Sequence, residues 1–144
     1  MVVHIAVVAD DLIWASRLVA AVHQAGATPV RLGTDQDVAM TVEAIGLEEP
    51  AVGEPDTTPH ILAAIVDLFG HRYDGVEAVR QLRAAGLSVM AVSQHDDLDT
   101  RKLALDAGAL RVFSYNKFFQ DGPALIARWL LAANDAPEDP GADT

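Results

Sequence analysis

The feature that most constrains this chain is a series of short, continuously apolar runs, each stopping at a polar residue and each followed by an amphipathic stretch. VVHIAVVA (Val2 to Ala9) runs into Asp10 and Asp11, and ILAAIV (Ile61 to Val66) runs into Asp67. Thr28 to Leu32, Leu87 to Val92 and Leu110 to Phe113 are runs of the same kind. Runs of this length, rich in β-branched residues and without polar alternation, read as strands buried on both faces. Between them, Leu12, Ala15, Leu18, Val19 and Val22 recur at helical spacing ahead of Gly26. Thr34 is placed to cap a helix carrying Val38, Val42 and Ile45. Val76, Val79 and Leu82 form a stripe from Asp74-Gly75 to Gly86, a further helix spans Leu98 to Ala107, and a last one spans Gly122 to Leu131 with Leu125, Ile126, Trp129 and Leu130 buried.

Five strand and helix units in series imply an α/β fold with a doubly wound, five-stranded parallel sheet, because right-handed crossovers lay helices on both faces. Such sheets bind ligands at the carboxyl ends of their strands, beside the topological switch point. Every residue of chemical interest falls at such an end: Asp10 and Asp11, Asp67, Ser93, and Ser114 to Lys117.

At 144 residues the chain has room for one core. Residues 1–131 are expected to form the domain and 132–144 a disordered acidic tail, because the latter hold no apolar set to pack. Leu47 to Pro59, with three prolines, a glycine and several acids, reads as a loop. No apolar stretch reaches the roughly 20 residues of a membrane span, and Met1 to Ala9 lacks a basic leader and a cleavage site, so a cytoplasmic location without membrane contact is expected. The absence of cysteine excludes thiol nucleophiles, thiolate metal sites and disulfides. A net charge of −11, with seven acids and no Lys or Arg between Asp35 and Asp56, argues against nucleic-acid partners.

Three carboxylates brought to one pocket repel one another unless a cation neutralises them. A hard divalent ion such as Mg²⁺, bound by Asp10, Asp11 and Asp67, answers that need and leaves positions open for a phosphate. One carboxylate could then act as a nucleophile toward a phosphoryl group, with Ser93 and Lys117 supplying contacts. The simpler alternative is that such aspartates cap the following helices, a role that suits Asp11 ahead of Leu12.

The runs VVADDLIWASRL (Val7 to Leu18), IVDLFGHRYDG (Ile65 to Gly75), VSQH (Val92 to His95) and DAGALRVF (Asp106 to Phe113) resemble the receiver domains of two-component response regulators, over roughly Val3 to Leu131. The seven-residue step from Asp67 to Asp74-Gly75 is the most specific part. The resemblance implies a (βα)5 flavodoxin-like fold, Asp67 as phospho-acceptor, Ser93 as switch hydroxyl, and Asp10, Asp11 and Asp67 as Mg²⁺ ligands. It also implies a histidine kinase or phosphotransfer protein as partner. Two positions depart from the pattern. His71 stands where receivers usually carry proline, and the step to the fifth-strand lysine lands on Tyr115, so that either Lys117 reaches back as the phosphate contact or the lysine is missing.

Among other residues, His71 and His95 read as solvated, Trp14 as packing of the first helix or a lid, and Tyr115 receives no switch role. Phe118 and Phe119 suggest a homodimer or effector contact through the fourth helix, fifth strand and fifth helix. The expected function is a stand-alone, two-component signalling protein phosphorylated on Asp67, a non-enzyme beyond turnover of its own aspartyl phosphate. The alternative is a degenerate receiver that acts by protein binding alone. A doubly wound enzyme is disfavoured, because no Gly-rich phosphate loop follows the first strand and Asp10 and Asp11 would repel a pyrophosphate.

Overall fold

The computed structural model describes residues 3–46 and 60–135. Strands β1 (His4–Val8), β2 (Thr28–Leu32), β3 (Ile61–Asp67), β4 (Ser88–Ser93) and β5 (Arg111–Ser114) alternate with helices α1 (Leu12–Gln24), α2 (Asp35–Gly46), α3 (Gly75–Ala84), α4 (Leu98–Ala107) and α5 (Tyr115–Asp135). The strands form one sheet in the order β2-β1-β3-β4-β5, with every pairing parallel. The expected doubly wound α/β sheet is thus the observed one. Among the described residues no helix is long and apolar enough to cross a membrane.

Continuous apolar strands are needed because successive side chains point to opposite faces and both faces are covered. Ala6, Val8, Ala64, Val66, Val89 and Ala91 pack with Val38, Val79, Leu82 and Ala104 on one side. Ile5, Val7, Ile65, Met90 and Val92 pack with Leu18, Val22, Phe118 and Ile126 on the other. Each fully buried Leu, Ile or Val contributes about 1.5–3 kcal/mol of hydrophobic transfer, an upper figure because the unfolded chain already hides some apolar surface. Gly26 and Gly86, just beyond α1 and α3, adopt φ of 90° and 98°, the left-handed conformation in which glycine ends a helix without strain.

Helix starts follow their caps. Thr34 Oγ1 accepts the Asp37 N–H while Asp37 Oδ2 accepts the Gly33 N–H, a reciprocal arrangement that opens α2 as expected. Asp74 caps α3 and Asp97 caps α4 through the N–H groups of Glu77 and Thr100.

The last helix differs from the expectation. It starts at Tyr115 with no intervening loop, so Gly122 and Pro123 lie inside it, and it ends at Asp135, beyond the expected boundary at Leu131. Ser114 makes the early start possible, since its hydroxyl accepts the Lys117 N–H in place of a missing helical carbonyl. At Gly122 a Cβ would stand 3.1 Å from the Phe118 ring of the same helix, a tight contact, and 3.4 Å from Ala21 of α1, an ordinary one. Ile126 is fully buried, whereas Leu125, Trp129 and Leu130 are only partly so. The loop reading for Leu47 to Pro59 and the tail reading for 136–144 concern positions outside the described residues.

Candidate functional site

The chain leaves β1 toward β2 on one side and returns to β3 on the other, so the carboxyl ends of β1 and β3 flank the topological switch. Asp67 is the last residue of β3 and is buried, 2% exposed. Its Oδ1 accepts the Phe69 N–H at 3.1 Å and also the hydroxyl of Tyr115, the first residue of α5. The Tyr115 ring lies against Trp14 of α1 (centroids 4.3 Å apart, 37° between planes) and, more distantly, against Phe69 (6.4 Å).

Asp11 caps α1, its Oδ1 accepting the N–H groups of Ile13 at 2.9 Å and Trp14 at 3.0 Å. Asp10 reaches across the switch, and its Oδ2 accepts the N–H groups of His71 and Arg72, both at 2.6 Å. The loop from β3 to α3 is held at further points. The Tyr73 hydroxyl is shared between the carbonyls of Asp67 at 2.6 Å and Val8 at 3.0 Å. Asp35 donates its N–H to the Arg72 carbonyl, and its Oδ1 accepts the Asp74 N–H. Gly70 is required beneath the Tyr73 ring, because a Cβ there would stand 2.1 Å from Tyr73 Cζ.

Burial raises the Asp67 carboxyl above its ordinary value, and the charges of Asp10 and Asp11 push the same way, against the hydrogen bonds from Tyr115 and Phe69. Burial, then Asp67, raise the Tyr115 phenol, and burial, then the charges of Asp67 and Asp10, raise that of Tyr73, so both stay protonated donors at neutral pH.

The expected metal set is not assembled. Among the described residues no group of three or more His, Asp or Glu is placed to hold a metal ion. One oxygen of Asp10 is taken by the loop amides, one of Asp11 by its helix and one of Asp67 by Phe69 and Tyr115, and the three carboxylates do not converge as a metal-holding group in this arrangement.

Lys117, the expected phosphate contact, is turned away from Tyr115 and pairs within its own helix. Its ammonium pairs with Asp121 Oδ2 at 2.7 Å on the exposed side of α5. Because α5 begins at Tyr115, Lys117 is rotated by about 200° from it around the helix axis. Tyr115, denied a switch role on sequence grounds, is the side chain that touches Asp67.

Ser93 ends β4 and is buried, next to the residue that pairs with Asp67, and its hydroxyl donates to the Gln94 carbonyl at 3.3 Å. His71 and His95 are exposed. Trp14 is half-buried and its ring lies against Tyr115. Phe118 is buried and Phe119 exposed, with the Arg17 guanidinium 4.2 Å from the Phe119 ring and 5.3 Å from that of Trp14. Sequence reasoning missed Tyr73; an aromatic three residues after a loop glycine was its only signal.

No family model matches the chain, and no curated protein matches it. Solved structures do. A CheY-like response regulator receiver domain protein from Methanospirillum hungatei JF-1 is 15% identical, with a TM-score of 0.72 over 95% of this chain and 100% of that one. The BeF3-activated receiver domain of DrrB from Thermotoga maritima is 19% identical, with a TM-score of 0.69 over 90% and 98%. The receiver domain of a sensor histidine kinase from Pseudomonas aeruginosa PAO1, which holds a magnesium ion in its active site cleft, is 16% identical, with a TM-score of 0.66 over 90% and 98%. The strand order, the helix placement and these likenesses agree that the chain has the fold of response-regulator receiver domains.

Proposed function

We propose that this protein is a receiver-fold signalling module that acts through protein binding, with Asp67 withheld from phosphoryl transfer. The observation that carries the reading is the Tyr115 hydroxyl on Asp67, under a ring stacked with Trp14. Phosphorylation of an aspartate needs a free carboxylate oxygen, room for the incoming group and positive charge to neutralise it. Tyr115 covers one oxygen and offers a neutral phenol where an ammonium would supply charge.

The partners in this reading are two-component proteins, a histidine kinase or phosphotransfer protein, that bind the module without using it as a phosphoryl acceptor. Leu12 and Ile13, exposed on the first turn of α1, and Phe119 on α5 support contact at the pocket rim. Exposed Leu98, Leu103 and Leu105 on α4, with Leu110 before β5, support a second contact, a homodimer through α4, β5 and α5. The module turns over no substrate and works in the cytoplasm.

The test is intact mass after incubation with acetyl phosphate and Mg²⁺, on the wild type and on Asp67→Asn. No phosphoryl adduct on either is expected, and an adduct on the wild type that Asp67→Asn abolishes overturns the reading. Sedimentation that finds only monomer at high concentration removes the homodimer.

A further inference from the structure

The acidic pocket presents an electrostatic problem and a visible answer to it. Asp10, Asp11 and Asp67 stand at adjoining strand ends, and the charges of the first two bear on the third. Each of the three carboxylates has one oxygen that accepts two donors. Asp10 takes the N–H groups of His71 and Arg72, Asp11 those of Ile13 and Trp14, and Asp67 the Phe69 N–H and the Tyr115 hydroxyl. Six donors therefore face the three carboxylates. Hydrogen bonds to ionised groups are the strong ones, and consecutive backbone N–H groups form a concave site for an anion.

We propose that Asp10 is the anion of the His71–Arg72 amide nest, and that this arrangement of the loop from β3 to α3 is held by those two N–H groups and is independent of divalent metal. A cation set against Asp10 Oδ2 would meet the positive ends of two N–H groups already 2.6 Å away. Position 71 must carry an N–H for this bond, and proline has none; His71 therefore serves through its backbone. The nest locks the loop from β3 to α3 in one arrangement, and the Tyr73 and Asp35 bonds hold the same segment from below and from α2.

The proposal predicts the opposite sign from a metal pocket. In a pocket waiting for a cation, neutralising one carboxylate relieves repulsion, so Asp10→Asn stabilises the metal-free protein. In the nest, Asp10→Asn and, more strongly, Asp10→Ala lower the thermal midpoint, the latter by roughly 3–6 °C. His71→Pro lowers it as well, and its effect is less than additive with that of Asp10→Ala, because both remove the same bond.

Thermal unfolding of the full chain with and without millimolar Mg²⁺ tests this. The expected result is an unchanged wild-type midpoint with Mg²⁺ and a lowered midpoint in each variant. A wild-type midpoint that Mg²⁺ raises, together with a metal-free Asp10→Asn more stable than wild type, overturns it. If Asp10→Ala does not fold, the wild-type amide resonances of His71 and Arg72 decide: insensitivity to Mg²⁺ supports the nest and a Mg²⁺-dependent shift overturns it. This inference is read from the unmodified protein without a phosphodonor, so it stands or falls separately from the binding reading above.

Discussion

Helices α3 and α4 are each ten residues long and lie side by side over one face of the sheet, yet they are held very differently. α3 buries Gly75, Ala78, Val79 and Leu82, and its leading loop is tied by Asp10, Asp35 and Tyr73. α4 buries Ala104 alone and leaves Leu98, Leu103 and Leu105 exposed. The difference divides the carboxyl-terminal rim into a rigid half around Asp67 and a half secured by little apolar burial. Local opening free energies follow buried contacts and protected hydrogen bonds, so α4 is expected to open more easily than α3.

The largest test of that contrast is Leu82→Ala, which leaves a cavity beneath α3 and should cost about 2–5 kcal/mol in urea unfolding. A loss below about 1 kcal/mol would show that α3 is no better anchored than α4. Gly75→Ala comes next. Its new Cβ would stand 2.8 Å from the Leu68 Cα, a backbone atom that cannot swing away, and a loss of roughly 1–3 kcal/mol is expected. Tyr73→Phe removes the hydroxyl from two buried carbonyls, at about 1–3 kcal/mol, and should speed amide exchange in the segment 69–74 while leaving α4 unchanged.

Asp67→Asn sharpens the picture through pH. The folded carboxyl titrates above its ordinary value of 3.8, so ionising it opposes folding. Its contribution is most favourable below that ordinary value and is lost as pH rises through the raised one. Asp67→Asn should therefore be more stable than wild type at neutral pH, with the advantage shrinking as pH falls toward 3.8. An advantage that stays constant with pH would mean that Asp67 is not held above its ordinary value. The smallest effect is expected from Leu103→Ala, within about 0.5 kcal/mol, because the side chain is exposed.

Most of the fold was legible because its strands carry the pattern of burial on both faces and its helices carry caps that act locally. Asp11, Thr34 and Asp74 cap through neighbours two or three residues away, which spacing alone can indicate. The start of α5 was not legible. Gly122 and Pro123 read as a boundary, yet packing of Phe118 and Ile126 of α5 with Leu18 and Val22 of α1 and the cap from Ser114 carry the helix through them. That early start turns Lys117 outward and sets Tyr115 on Asp67.

The sequence by itself determined the class of fold, the strand ends at which the acids gather, and the positions where the receiver pattern breaks, His71 and Tyr115. Those properties depend on periodicity and on interactions between near neighbours. Only the tertiary structure decided what the acids do, because their decisive partners lie far along the chain. Asp10 meets amides 61 and 62 residues away, and Asp67 meets a hydroxyl 48 residues away. A carboxylate can accept from an amide, a hydroxyl or a metal with equal chemical sense. Which of these it does depends on which donor the folded chain brings within hydrogen-bond reach, and here that was set by a loop closing across a switch point and a helix starting about two turns early.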